Sequence, residues 1–227
     1  NVVNSATRYN IGGNAVLSLG VAGSLNTFVG ISAGQGTTTG ANDTFVGSGA
    51  GQANTTGVRN SFFGKSAGTN NTTGNSNSFF GMLAGASNTM GNGNSFFGDG
   101  AGFSNNLGGS NSFFGYSAGA TNTTGLRNSF FGQAAGFNNT TGQDNTFIGT
   151  GAGLSNTTAN FNTFVGTSAG AANTTGAGNS FFGFNSGGLN TSQSGNSFFG
   201  SSAGFASIAC CNSFFGTNSG AANTTGT

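Results

Sequence analysis

Asn60-Ser61-Phe62-Phe63-Gly64-Lys65-Ser66-Ala67-Gly68, continued by Asn71-Thr72-Thr73-Gly74, is the stretch that decides the fold. The same order of residue types returns along almost the whole chain. The glycine after the aromatic pair steps from Gly30 to Gly200 in units of 17 residues, and the last step, Gly200 to Gly216, is 16. The repeat reads N-[ST]-F-[FVI]-G-x-x-[AS]-G-x-x-N-T-T-G-x-x, and twelve copies run from about Asn26 to the end. Seventeen residues are too few for a helix pair and suit one coil of a solenoid. Self-similarity at a fixed period is the mark of such stacked architectures.

Local chemistry fills in the coil. N-[ST]-F-[FVI] is aromatic and β-branched and is bounded by glycine, so it reads as a short strand. The x-x-[AS] segment before the next glycine reads as a second short strand. N-T-T-G carries turn chemistry, because asparagine side chains bond nearby backbone and glycine accepts positive φ. Glycine every few residues costs about 1 kcal/mol each in a helix, which argues against helices throughout. The expected fold is all-β: a parallel β-solenoid or β-roll of twelve 17-residue coils over 26–227. Residues 1–25 break the period, carry an apolar run from Ile11 to Val21, and are expected to cap the array or join it to an upstream segment. Coils stacked about 4.8 Å apart would make a rod on the order of 60 Å long.

The first residue of the aromatic pair is Phe in every copy, including Phe62, Phe79, Phe96, Phe113 and Phe130. The second varies: Phe63, Phe80, Phe97, Phe114 and Phe131 in some copies, Val29, Val46, Ile148 and Val165 in others. Strand neighbours point to opposite faces, so an inward first column sends the second outward. In all twelve copies a Thr precedes the pair when its second member is Val or Ile, and a Ser when it is Phe. These two positions share a face, and the match reads as volume compensation in a close-packed space. A thin coil buries one face by itself. The other face is therefore expected to need a partner, most simply another copy of the chain in a homotrimer or a homopolymeric filament.

A second column, Asn54, Asn71, Asn122, Asn139, Asn156 and Asn173 among others, reads as a hydrogen-bonded amide ladder along the rod. Most of its members also satisfy N-x-[ST], which makes them candidate glycan acceptors. Cys210 and Cys211 sit in the 16-residue copy and form a candidate disulfide, interchain in an oxidising setting.

Composition sets the functional bounds. Of 227 residues, 3% are charged, the net charge is +1, and the chain has no His, Pro or Trp, with 46 Gly and 25 Phe. A soluble monomer usually carries far more interspersed surface charge, so this surface suits a protein that assembles. Acid–base catalysis needs positioned titratable groups. Asp43, Asp99 and Asp144 belong to different copies and slots, there is no Glu, and Asp43 reads as a turn residue. No enzyme activity, metal site or cofactor is expected. Arg8, Arg59, Lys65 and Arg127 are isolated, which speaks against nucleic-acid binding. No apolar run approaches the ~20 residues of a membrane-spanning helix, so no membrane insertion is expected.

The run N-S-F-F-G-x-x-A-G-x-x-N-T-T-G resembles the repeat region of bacterial tail-fibre-like surface proteins, and Tyr9 to Ser18 resembles the segment that precedes those repeats. It is similar, more distantly, to the β-roll heads of trimeric autotransporter adhesins. The resemblance implies a trimeric structural or adhesive fibre at the bacterial surface, outside the cell. Two other readings use different features. F-F-G recurring in a polar background suits a disordered FG-rich condensate former, and the Thr-Thr columns suit an ice-binding solenoid.

Overall fold

The chain is described by a computed structural model covering residues 8–11, 13–19 and 24–223. It is a parallel β-solenoid with a 17-residue repeat and, among the described residues, no helix. Twelve three-residue strands, β3 (Thr27–Val29) through β14 (Ser213–Phe215), stack in chain order in one sheet. Twelve strands delimit about eleven turns, one fewer than the twelve coils expected, because a turn is counted from one strand to the next. Every pair is parallel and in register, as in Ser95↔Ser112, Phe96↔Phe113 and Phe97↔Phe114.

In front of this array stand β1 (Arg8–Ile11) and β2 (Asn14–Ser18), an antiparallel hairpin. Its second strand runs antiparallel to β3, with Leu17 opposite Val29 and Ser18 opposite Phe28. The hairpin therefore occupies the backbone edge of the first coil. Residues 1–7, 12 and 20–23, with Val21 among them, and the chain after Asn223 lie outside the described residues.

Each coil bonds to its neighbours in both directions. Ser95 N–H donates forward to Asn111 O at 2.8 Å, and Gly98 N–H donates backward to Phe80 O at 2.8 Å. On the opposite side Gly102 N–H reaches Ala118 O at 2.9 Å and Ser104 N–H reaches Ala120 O at 2.8 Å. The chain thus finds most of its backbone partners one coil away and the rest in its own tight turns, which permits so slender a body to bury its peptide groups.

The second strand expected over x-x-[AS] is not formed. Its middle residue is left-handed: Ser66, Leu83, Ser117, Ala134 and Ser168 all have φ between 53° and 59°. One left-handed residue reverses the chain locally, and the segment closes as a turn in which Ala101 N–H bonds Gly98 O at 3.2 Å. Such a conformation costs a non-glycine residue on the order of 1–2 kcal/mol and persists only where the surroundings fix it. Here the coils above and below fix it.

The core is one phenyl ring wide. Phe96 is fully buried, and its ring lies 4.8 Å from those of Phe79 and Phe113 with planes 5° and 8° apart. Its far edge meets the turn opposite. A Cβ on Gly68, at φ 57°, would come 2.5 Å from the equivalent ring of Phe62. The invariant Phe and the glycine six residues later are therefore one device: the ring spans the coil, and only a residue without a side chain fits where it ends. Buried alanines, Ala67, Ala84, Ala101 and Ala118, fill the remaining corner.

Candidate functional site

The rod offers long rows rather than a pocket, and three of them carry its chemistry. The inner amide row is the ladder read from the sequence. Asn71 Nδ2 donates to Asn54 Oδ1 at 2.8 Å and to Gly74 O at 3.0 Å. The bond to the preceding Asn recurs at Asn88, Asn105, Asn122, Asn139, Asn156 and Asn173. So does the bond to a carbonyl three residues on. All these side chains are fully buried. That corrects their reading as glycan acceptors: at Asn54, Asn71, Asn122, Asn139, Asn156 and Asn173 the amide faces the coil interior, with no room for a sugar in the folded chain.

A second amide row, not expected from the sequence, runs beside it. The Asn that opens each N-[ST]-F segment is also buried. Asn94 Oδ1 accepts the backbone N–H of Asn111 at 3.0 Å, and Asn94 Nδ2 donates to Gly108 O at 2.8 Å, fourteen residues on. The signal for it is the recurrence of this Asn in every copy but one. That copy carries Asp43.

Asp43 is not a turn residue but a fully buried member of this row. Its Oδ1 accepts Asn60 N–H at 2.8 Å, as an Asn would. Its Oδ2 stands where the other copies place an amide that donates to the glycine carbonyl, and it accepts Asn54 Nδ2 at 3.2 Å instead. The neighbouring sequence explains this. Seventeen residues before Asn54 stands Thr37 and not Asn, so Asn54 lacks the upstream carbonyl that the members from Asn71 to Asn173 enjoy. Asp43 supplies the acceptor.

Burial pushes the Asp43 carboxyl up from 3.8 to about 6, against the hydrogen bonds from Asn60 and Asn54 that lower it. The folded chain therefore holds this proton where the unfolded chain has released it. Stability linked to Asp43 is present at low pH and is lost as pH rises through about 6. Between about pH 4.5 and about pH 7 the loss should be about 2 kcal/mol. Asp144 works oppositely: Arg127 bonds to it and lowers its carboxyl, so its contribution is lost only at lower pH. Urea unfolding at those two pH values checks the sign. The wild type should be less stable at the higher one, and Asp43→Asn should flatten the difference.

The outer strand row is the half-buried one. Phe63, Phe80, Phe97, Phe114 and Phe131 stack with ring centroids 4.7–4.9 Å apart. Ser flanks each of them on the same face, and the strands of the first four show the pattern half-buried, buried, half-buried. Phe131 and Ile148 are 39% and 42% exposed. One chain alone thus leaves the second face open to solvent.

The few charges are placed apart. Arg127 is not isolated: it pairs with Asp144 one coil on, at 2.6 and 2.8 Å. Arg59 donates to Ser76 Oγ at 3.4 Å. Among the described residues no group of three or more His, Cys, Asp or Glu could hold a metal, and no helix is long and apolar enough to cross a membrane. A shallow groove of about 490 Å³ runs past Gln35, Gln52, Thr69 and Asn70 over Gly36 and Ala53, with no titratable group in its wall.

The inner row ends just before the 16-residue copy. Asn173 Oδ1 and both amide atoms of Asn190 are buried without a hydrogen-bond partner, and the next slot is Ser207. Cys210 and Cys211 lie on the surface of this copy as free thiols, and the Cys211 thiol is pushed up by its hydrogen bond with Cys210. The Thr columns are not equivalent. Thr55 Oγ1 is spent on Thr72 O at 2.9 Å, and the exposed column beside it reads Thr56, Thr73, Met90, Leu107, Thr124. Comparison with known protein families, curated proteins and solved structures finds no match to this chain.

Proposed function

We propose that this chain is a structural, non-catalytic rod segment of an extracellular fibre, built to associate with copies of itself. The observation that carries the reading is the set of long rows. Buried Phe and Asn repeat from coil to coil over nearly the whole length, so the chain invests its sequence in axial regularity rather than in one site. The titratable inventory supports it too. Asp43 is built into the core, Asp144 is held by Arg127, and the two lie about six repeats apart.

The rival readings fit less well. A disordered FG-rich mesh has no use for a Phe column buried at a fixed spacing. An ice-binding face needs a continuous hydroxyl array, and Met90 and Leu107 interrupt the exposed Thr column. Display outside a bacterial cell and adhesion belong to this proposal through the family resemblance. So does a staple between chains at the exposed Cys210–Cys211 pair.

Negative-stain microscopy of purified protein over a range of concentrations tests the proposal. Fibres or bundled rods are expected, with a strong axial repeat near ~4.8 Å in diffraction from aligned samples. Dispersed rods roughly 50–60 Å long at every concentration would sink it.

A further inference from the structure

We infer that a second copy of this chain packs against the outer face of the strands, along the row formed by Phe63, Phe80, Phe97 and Phe114 with the flanking serines and threonines. The inference rests on the fibre reading and names its contact surface.

Three observations point there. First, the face lacks the devices that keep a sheet surface solvated. None of the twelve parallel strands contains a charged residue, whereas exposed strands ordinarily carry Lys or Glu that discourage pairing.

Second, the rings present the wrong aspect for a stacking ligand. Each phenyl face is covered by the ring of the next coil, with planes 5–7° apart, so only ring edges reach solvent. A sugar ring or a nucleobase needs a free aromatic face, and a phosphate needs cations that the strands lack. A flat, uncharged ridge of edges suits another surface of the same kind.

Third, Ser accompanies Phe and Thr accompanies Val or Ile in all twelve copies. In the fold those two residues are the half-buried pair on this face. Exchanging bulk between the two columns keeps the face evenly filled from coil to coil, which matters only where something packs against it.

The area suffices. About eleven steps of about 4.8 Å and strands about 10 Å wide give roughly 530 Å² per copy and roughly 1,060 Å² per pair. That reaches the ~1,000 Å² of a specific interface. One patch meeting itself closes as an isologous pair, and three such faces around an axis close as a trimer.

Light scattering after size exclusion reads the outcome. Wild-type protein should elute at the mass of two or more chains at micromolar concentration. Phe80→Glu with Phe114→Glu should weaken association at least tenfold while the β circular-dichroism spectrum remains.

A cross-linking experiment guards against a variant that misfolds. In a Cys210→Ser, Cys211→Ser background, S112C should form an interchain disulfide with oxidised glutathione, and T124C on a different exposed column should not. Ser112 lies near the middle of the rod and meets its counterpart in antiparallel overlap, and an S112C, F114C double variant covers parallel overlap, where the serine row faces the phenylalanine row. An oligomeric wild type whose mass survives the double Glu change, or in which neither the S112C form nor the S112C, F114C form cross-links, overturns the contact and leaves the fibre reading standing. A wild type that stays a single chain at every concentration overturns both.

Discussion

Phe96→Ala should destabilise the rod by about 3–5 kcal/mol, the largest effect expected of any single side-chain truncation in it. Phe96 is fully buried at the centre of an unbroken stack, and two rings and one glycine turn define its cavity. Truncation removes apolar burial and leaves a void that cannot collapse. The coils above and below are held at strand spacing by backbone bonds, and a Cβ at this position cannot reach the turn at Gly102. Phe97→Ala, one residue on, removes the same ring from a half-exposed position. It should cost about 1–2 kcal/mol in dilute protein. Urea unfolding of both variants at a concentration where the chain is a single copy separates them. Equal losses would mean that the inner column is not the core.

Asn105→Leu should cost about 3 kcal/mol although leucine has nearly the same size. Asn105 Oδ1 accepts from Asn122 Nδ2 at 2.7 Å, and its own amide donates to Asn88 Oδ1 at 2.8 Å and Gly108 O at 2.9 Å. Leucine leaves a buried donor on Asn122 and a buried acceptor on Asn88, each worth about 1–3 kcal/mol when unsatisfied. Asn70 is exposed, and Asn70→Leu should stay within about 0.5 kcal/mol. Thermal melts of the two variants, run side by side, make the comparison. If Asn105→Leu melted at the same temperature as Asn70→Leu, the amide row would leave the list of forces holding the rod.

Much of this is legible in the sequence because a strict repeat makes equivalent residues stack. Once Phe62, Phe79 and Phe96 are known to recur every 17 residues, an aromatic row follows, and the row at Asn54, Asn71 and Asn122 follows in the same way. The absence of the second strand is hidden by physics that composition does not display. A left-handed Ser66 or Leu83 looks unremarkable in sequence, and only Gly49, Gly100 and Gly151 in the same slot betray the conformation. The burial of Asp43 is hidden for a different reason. It becomes intelligible only when Thr37, in another row, is seen to remove a partner from Asn54. The pairing of Arg127 with Asp144 is implicit in their separation of one period, but it shows only when the two are considered together. The outer face can be read as needing a partner, and the chain does leave it half-exposed.

The constant in-register step between coils has a genetic corollary. Because the regular coils present matching upper and lower surfaces, deletion or duplication of one 17-residue unit among them rejoins matching ends; the coils that hold Asp43 and Asn54 and the 16-residue copy are the exceptions. The rod's length can then change one coil at a time, with the cross-section untouched. Selection acting on how far the rod reaches would find that variable ready to tune.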